Sequence, residues 1–119
     1  MKVNFALFVF SVVVAQSALA ASASKEINCS GVKIDALSGA EHARAGIPLE
    51  KGLASLADSY RDIDAKLIKM NRKPSTLVMK TQGKISFADG YNEALRQPDQ
   101  TVDQIAGQAF LACTFAKYK

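Results

Sequence analysis

Acid–base and metal-binding residues are few in this sequence and stand apart from one another. His42 is the only histidine among 119 residues, and Glu41 precedes it. Asp58 and Asp62 are one helical turn apart, which makes them the best candidate for a carboxylate pair that moves protons. No H-E-x-x-H, C-x-x-C or other clustered ligand pattern accompanies them. We therefore expect surface or boundary side chains, and we predict no catalytic, cofactor-binding or metal site and no enzyme activity.

Residues 1–20 have the composition of a secretory signal peptide. They open with a positive lysine, continue with an apolar core at residues 5–15, and end in the small-x-small cleavage pattern of residues 18–20. A core of about 11 residues is too short for a membrane span, which needs roughly 20. We expect cleavage after the last of these residues, with residues 21–23 as a second position. The protein is then periplasmic or secreted, without stable membrane insertion.

Export places Cys29 and Cys113, the only two cysteines, in a compartment that oxidises thiols. The mature chain, residues 21–119, has the length of a single helical domain, and a core that small gains from a covalent link. We therefore expect one disulfide between the two cysteines. No free thiol then remains for nucleophilic catalysis.

The basic residues are distributed unevenly along the chain. The formal charge of the whole sequence is +4 and tryptophan is absent, so we expect no nucleic acid partner. Residues 65–88 nevertheless contain no acidic residue. We call the six cations of this stretch the basic tip: Lys66, Lys69, Arg72, Lys73, Lys80 and Lys84. Two interpretations stay open, a solvated connection between helices or a surface for an acidic partner such as anionic lipid, lipopolysaccharide or an acidic protein face.

Apolar residues recur at helical intervals in four segments, three of which are clear. The first, residues 27–45, ends at Gly46 and carries Cys29, Val32, Ala36, Ala40 and Ala43. The second ends at Lys73-Pro74 and carries Leu49, Leu53, Leu56, Tyr60, Ile63, Leu67 and Met70. The fourth follows Pro98 and carries Val102, Ile105, Ala109, Cys113 and Ala116.

The third segment, residues 75–96, has a weaker pattern. A helix here carries the stripe Leu77, Thr81, Ile85, Ala88, Tyr91 and Leu95. Gly83 and Gly90 oppose it, because each weakens a helix by about 1 kcal/mol relative to alanine. The alternative is a β-hairpin over residues 76–87 that turns at Gly83. We favour the helix.

Short turns between four helices favour antiparallel packing of neighbours in up-down-up-down order. This order returns the end of the fourth helix to the level at which the first begins, so it brings Cys113 to Cys29. The predicted fold is therefore an all-α four-helix up-down bundle closed by one disulfide. Helices combined with a hairpin at residues 76–87 are the alternative.

Two stretches carry turn and helix motifs. In residues 43–50 an R-x-G-x-P turn begins at Arg44 and joins two helices. Residues 90–95 combine a tyrosine with an alanine on a helix, and the motif continues with Pro98, Phe110 and Cys113. Together these stretches resemble small exported proteobacterial proteins of unassigned function, and the resemblance extends over most of the mature chain. The resemblance implies an all-helical periplasmic domain and no particular activity.

In size, helix content and single disulfide the chain is also similar to periplasmic acid-stress chaperones, although their cysteines are markedly closer in sequence. Periplasmic immunity proteins against secreted cell-wall hydrolases share its size and compartment. We expect a non-enzymatic binding protein: an inhibitor, an immunity protein or an accessory of an envelope or conjugation machine. Its partner is then another envelope or secreted protein, and an acidic one would match the basic tip. The alternative function is a holdase chaperone of the acid-stress type.

Overall fold

The computed structural model describes residues 27–117 and contains four α-helices. They are α1 (Cys29–Arg44), α2 (Leu49–Lys69), α3 (Leu77–Arg96) and α4 (Val102–Lys117). No β-strand occurs within residues 27–117, so the hairpin alternative for residues 76–87 is wrong and the all-α prediction is confirmed. The predicted signal peptide, residues 1–20, and its two cleavage positions lie outside the described residues.

The helices begin at polar caps that the local sequence supplies. The Asn28 side chain accepts a hydrogen bond from the Ser30 amide ahead of α1. Thr76 caps α3 by accepting from the Met79 amide. Ahead of α4, the Thr101 hydroxyl accepts from the Gln104 amide, and the Gln104 side chain accepts from the Thr101 amide. These bonds satisfy amides that have no partner within a helix.

Two residues with positive φ end the first two helices. Gly46, with φ of 74°, follows α1, and Asn71, with φ of 57°, follows α2. Glycine adopts this left-handed conformation without a steric penalty, and asparagine tolerates it better than most residues. The Gly46 stop is therefore confirmed. The second helix ends a turn before the predicted Lys73-Pro74, because Asn71 turns the chain first.

The helices follow the predicted up-down-up-down order, with α1 at the centre. α1 runs parallel to α3 and packs against it over most of its length, and α4 covers another side of α1. α2 packs on the edge of the α1–α3 pair, where Tyr60 of α2 reaches Asp35 of α1. The bundle is therefore built around one close parallel pair with a helix on each side.

Glycine makes the close approach of α1 and α3 possible. A methyl group on Gly39 would collide with the backbone of Phe87, and one on Gly90 would collide with the backbone of Ala36. The two helix backbones are thus in direct contact. The buried seam of α3 consists of Gly83, Phe87, Gly90 and Ala94.

The apolar stripe predicted for α3 is consequently wrong at its two ends, although Ile85, Ala88 and Tyr91 in its middle are half-buried. Leu77 at its beginning is 79% exposed, and Leu95 at its end is also mostly exposed. The large side chains would keep α1 at a greater distance, whereas glycine and alanine let the backbones meet. Phe87, which the stripe omits, is the largest fully buried side chain among the described residues.

The end of the bundle that holds the α1–α2 turn is tied by two side chains. The Arg44 guanidinium donates hydrogen bonds to the carbonyls of Ala94, Gln97 and Gln100, at 3.4, 3.0 and 2.7 Å. These carbonyls include the C-terminal ones of α3 that lack partners within the helix. The Tyr91 hydroxyl donates to the Ile47 carbonyl at 2.6 Å. Arg44 and Tyr91, which lie in the two resembling stretches, thus have structural roles.

The opposite end of the bundle is tied by the disulfide. Cys29 is the first residue of α1 and Cys113 lies near the end of α4. Their sulfur atoms are bonded, their Cα atoms are 5.6 Å apart, and 84 positions separate them in sequence. The predicted bond is therefore confirmed. The Lys117 ammonium also reaches the Ile27 carbonyl, at 3.4 Å, so the two ends of the described chain meet.

Candidate functional site

The side chains that were candidates for acid–base chemistry are not brought together. His42 is half-buried between Ser38 and Phe87: its Nδ1 atom is 2.7 Å from the Ser38 carbonyl oxygen, and its ring meets that of Phe87 edge-on at 5.1 Å. A carbonyl only accepts hydrogen bonds, so Nδ1 carries a proton in this contact. Glu41 is exposed. His42 thus packs and hydrogen-bonds within the bundle.

The two aspartates of the carboxylate pair lie on the solvent side of α2, where Asp62 lines an open cavity with Ala65, Lys66 and Lys69. Asp58 pairs with Arg61 at 2.9 Å on an exposed face of α2, and Asp62 is exposed. Exposed pairs of this kind contribute little to stability, typically about 0 to 1 kcal/mol. Within residues 27–117, no group of three histidine, cysteine, aspartate or glutamate residues is placed to hold a metal ion.

A polar contact that the sequence did not indicate joins α1 to α2. The Tyr60 hydroxyl donates to the Asp35 carboxylate at 2.9 Å, in space that the absent side chain of Gly83 leaves open. Burial raises the pKa of the Asp35 carboxyl, which the hydrogen bond from Tyr60 partly opposes. Burial and the Asp35 charge raise the pKa of Tyr60 as well. The adjoining cavity of about 50 Å³ has room for water and not for an organic substrate.

The basic tip lies where α2 ends and α3 begins, at the disulfide end of the bundle. Lys66 and Lys69 are in the last turn of α2, Arg72 and Lys73 are in the connection, and Lys80 and Lys84 are in the first turns of α3. The structure therefore brings all six cations to one region. Five of them are exposed and Lys80 is half-buried.

Asp64 anchors this region. Its buried carboxylate accepts a hydrogen bond from the Ser75 amide at 2.8 Å. The same carboxylate forms an ion pair with the Lys80 ammonium at 2.9 Å. The Ser75 amide, followed by Lys80, lowers the pKa of the Asp64 carboxyl. Lys80 is thus committed to a bond inside the protein. Asp64 lies one position before the acid-free stretch, so the sequence pattern gave no sign of this pair.

Apolar side chains are exposed among the cations of the tip. Ile68, Met70 and Leu77 each expose more than half of their surface. Met70 and Leu77 were both assigned to buried stripes by their spacing, and both assignments are wrong. The chain turns at Asn71, so Met70 passes beyond the core, and α3 turns its glycine face inward instead of Leu77. The surface available to a partner is therefore both basic and apolar.

A second group of ionisable residues lies on α3. Glu93 is buried, and its Oε1 atom has no hydrogen-bond partner among the described residues. Burial raises the pKa of Glu93 and of Asp89, and the positive charge of Arg96 opposes both shifts. These two carboxylates repel each other one turn apart. The negative charge of Asp89 therefore adds to the rise in the pKa of Glu93.

Comparison of the chain with protein-family models, with curated proteins and with solved structures finds no match. The resemblance to exported proteobacterial proteins therefore stays a prediction. None of the helices in the described part of the chain has the length and apolarity of a membrane span.

Proposed function

We propose that the mature protein is a non-enzymatic binding protein of the periplasm or the extracellular space, and that its basic tip holds an acidic protein partner. The observation that supports this most is the coincidence of five exposed cations with exposed Ile68, Met70 and Leu77 around the α2–α3 connection. The proposal covers an inhibitor, an immunity protein and an accessory of an envelope or conjugation machine.

The two kinds of side chain at the tip have different roles in this proposal. Exposed cations raise the rate at which an acidic partner arrives, because the attraction acts over about a Debye length. The apolar side chains supply contact area that is removed from water after arrival. The Asp64–Ser75 and Asp64–Lys80 bonds hold the connection in place before the partner binds. A surface prepared in this way loses less entropy on binding.

Site-specific photo-crosslinking tests this proposal. A photoreactive amino acid replaces Leu77 in the tip, and in the matched control it replaces Ile34, a comparably exposed apolar residue on α1 that is outside the tip. With periplasmic extract, we expect a discrete adduct from position 77 and none from position 34. High salt is expected to weaken the adduct, because it screens exposed charges.

Charge variants complete the test. R72Q/K73Q removes two cations from the tip, and K33Q/K51Q removes two exposed cations elsewhere. Only the first pair is expected to reduce crosslinking at position 77, and neither pair is expected to change stability by more than about 0.5 kcal/mol per substitution. Lys80 is left intact because of its bond to Asp64. Equal crosslinking by the two variants, or an adduct that is lipid and not protein, contradicts the proposal.

The alternative function, an acid-stress holdase, draws support from the exposed apolar side chains. It requires that acid loosens the fold, whereas three carboxyl groups of the bundle predict a gain of stability down to about pH 4. Asp35, Asp89 and Glu93 have raised pKa values when folded. Their protonation therefore favours the folded state: this stability is complete below the unfolded pKa values of about 4 and is lost as pH rises through the folded values.

We accordingly expect the thermal unfolding midpoint to rise as pH falls from 7 to about 4.5. Below about pH 4 the trend reverses, because Asp64, whose pKa is lowered, then loses its charge and its contribution. Circular dichroism melts at several pH values measure this. E93Q is expected to flatten the rise, and E41Q, which removes an exposed carboxylate from α1, is expected to leave it unchanged. Loss of structure between pH 7 and 5 favours the holdase instead.

A further inference from the structure

α4 presents an outer face without charge. No aspartate, glutamate, lysine or arginine occurs between Asp103 and Lys117. The inner face, with Ile105 and Ala106, packs into the bundle. On the outer face, Leu111 is 53% exposed and Phe115 is 72% exposed. A helix in contact with water normally carries charged residues on its outer side, so this face is suited to a contact with another apolar surface.

The spacing on this face is that of a helix–helix seam. Its exposed residues alternate intervals of four and three, and they are Gln104, Gln108, Leu111 and Phe115. This is the pattern with which one helix packs along another. Gly107 lies beside the seam, and an added methyl group there would meet nothing within 4 Å. The seam therefore has a protruding ring at one end and an open space towards the other.

We propose that the outer face of α4 binds the same face of a second copy of this chain, in an antiparallel two-fold dimer with its axis at Leu111. Gly107 and Phe115 lie four residues before and after Leu111. The two-fold axis therefore places the Phe115 ring of each copy at the Gly107 gap of the other. In a two-fold dimer both copies use the same surface, so that surface must be complementary to itself.

Charge at the ends of α4 agrees with the antiparallel direction. The aligned peptide dipoles give each α4 a partial positive charge at its beginning and a partial negative charge at its end, so antiparallel neighbours place opposite partial charges side by side. A parallel pair would bring like charges together. The face also lacks the basic rim that attracts an anionic membrane surface to an amphipathic helix. These features favour a second copy over lipid as the occupant.

The contact is small. Two crossing helices of 16 residues bury less than the roughly 1,200 Å² of a standard interface, so we expect a dissociation constant on the order of 100 µM. The proposed partner binding is not involved, because the basic tip lies on α2 and α3 and remains open in the dimer.

Sedimentation velocity tests the proposal with the mature, oxidised protein at about 5 µM and about 500 µM, on either side of that dissociation constant. The wild type is expected to be a monomer at the low concentration and mainly a dimer at the high one. L111E and L111K are each expected to stay monomeric, because like charges then meet at the axis. An equal mixture of the two is expected to dimerise again.

The matched control is I34E, which places a charge at an apolar residue of α1 that is 64% exposed. It is expected to dimerise like the wild type, and unfolding curves check that all variants are folded. A wild type that stays monomeric at the high concentration overturns the proposal. So does a dimer that I34E disrupts while L111E does not, or one that the L111E and L111K mixture fails to restore.

Discussion

Removal of the Cys29–Cys113 disulfide is expected to lower the free energy of unfolding by about 4 to 5 kcal/mol. The bond spans 84 positions, and in the chain-entropy model a loop of that length restricts the unfolded chain by about this amount. The hydrophobic core of the folded domain is too small to compensate for this loss of stability. Its fully buried side chains are mostly alanines, with Phe87 as the largest. A domain of this size typically has a total stability of about 5 to 15 kcal/mol.

Guanidinium denaturation of the oxidised protein and of C29A/C113A measures this loss. The double variant avoids the free thiol that a single substitution leaves. We expect its transition midpoint to fall substantially, with the helix content of the folded state retained in the absence of denaturant. A reductant is expected to shift the wild-type midpoint in the same direction and to leave that of the variant unchanged. Coincident transitions for oxidised wild type and variant contradict the prediction.

G39A is expected to destabilise the bundle by about 2 to 3 kcal/mol, although alanine favours helix by about 1 kcal/mol. The added methyl group would collide with the Phe87 backbone. A flexible side chain can move aside from such a collision, whereas a helix backbone cannot do so alone. The two helices must therefore separate, and the contacts along the whole α1–α3 seam weaken.

G31A in the same helix is the matched control. The nearest atom to a methyl group on Gly31 is the Cβ of Asn28, at 3.9 Å, which is ordinary van der Waals contact. We therefore expect G31A to raise the free energy of unfolding by about 0.5 to 1 kcal/mol, since only the helix preference changes. Both variants are compared with the wild type in denaturant at low protein concentration. Similar effects of the two substitutions contradict the proposed backbone contact.

The sequence predicted the helices well, because their signals are local. The Gly46 stop and the apolar stripe of α1 each depend on residues that are only a few positions apart in the sequence. The topology then brought Cys29 to Cys113. The buried face of α3 was not predictable from apolar spacing, because its seam contains two glycines. This face is buried because its backbone contacts that of α1. Hydrophobic periodicity considers only large apolar side chains, so it does not detect such a contact.

The candidate site was predictable only in its charges. The acid-free run of the basic tip is a property of composition, and it is visible before any fold is known. Two further properties depend on tertiary structure. The ion pair with Asp64 makes Lys80 unavailable to a partner. The turn at Asn71 exposes Met70, and the inward glycine face of α3 leaves Leu77 exposed. Hydrophobic periodicity assigns both of these side chains to the core.

The position of the disulfide has a further consequence for the integrity of the chain. With Cys29 bonded to Cys113, the backbone between them is a closed covalent ring that contains all three connections between helices. A protease that cuts the exposed connection after Arg72 opens this ring once and releases no fragment. Both pieces stay tethered at the opposite side of the ring, so a nicked molecule keeps its mass and its parts until a reductant separates them.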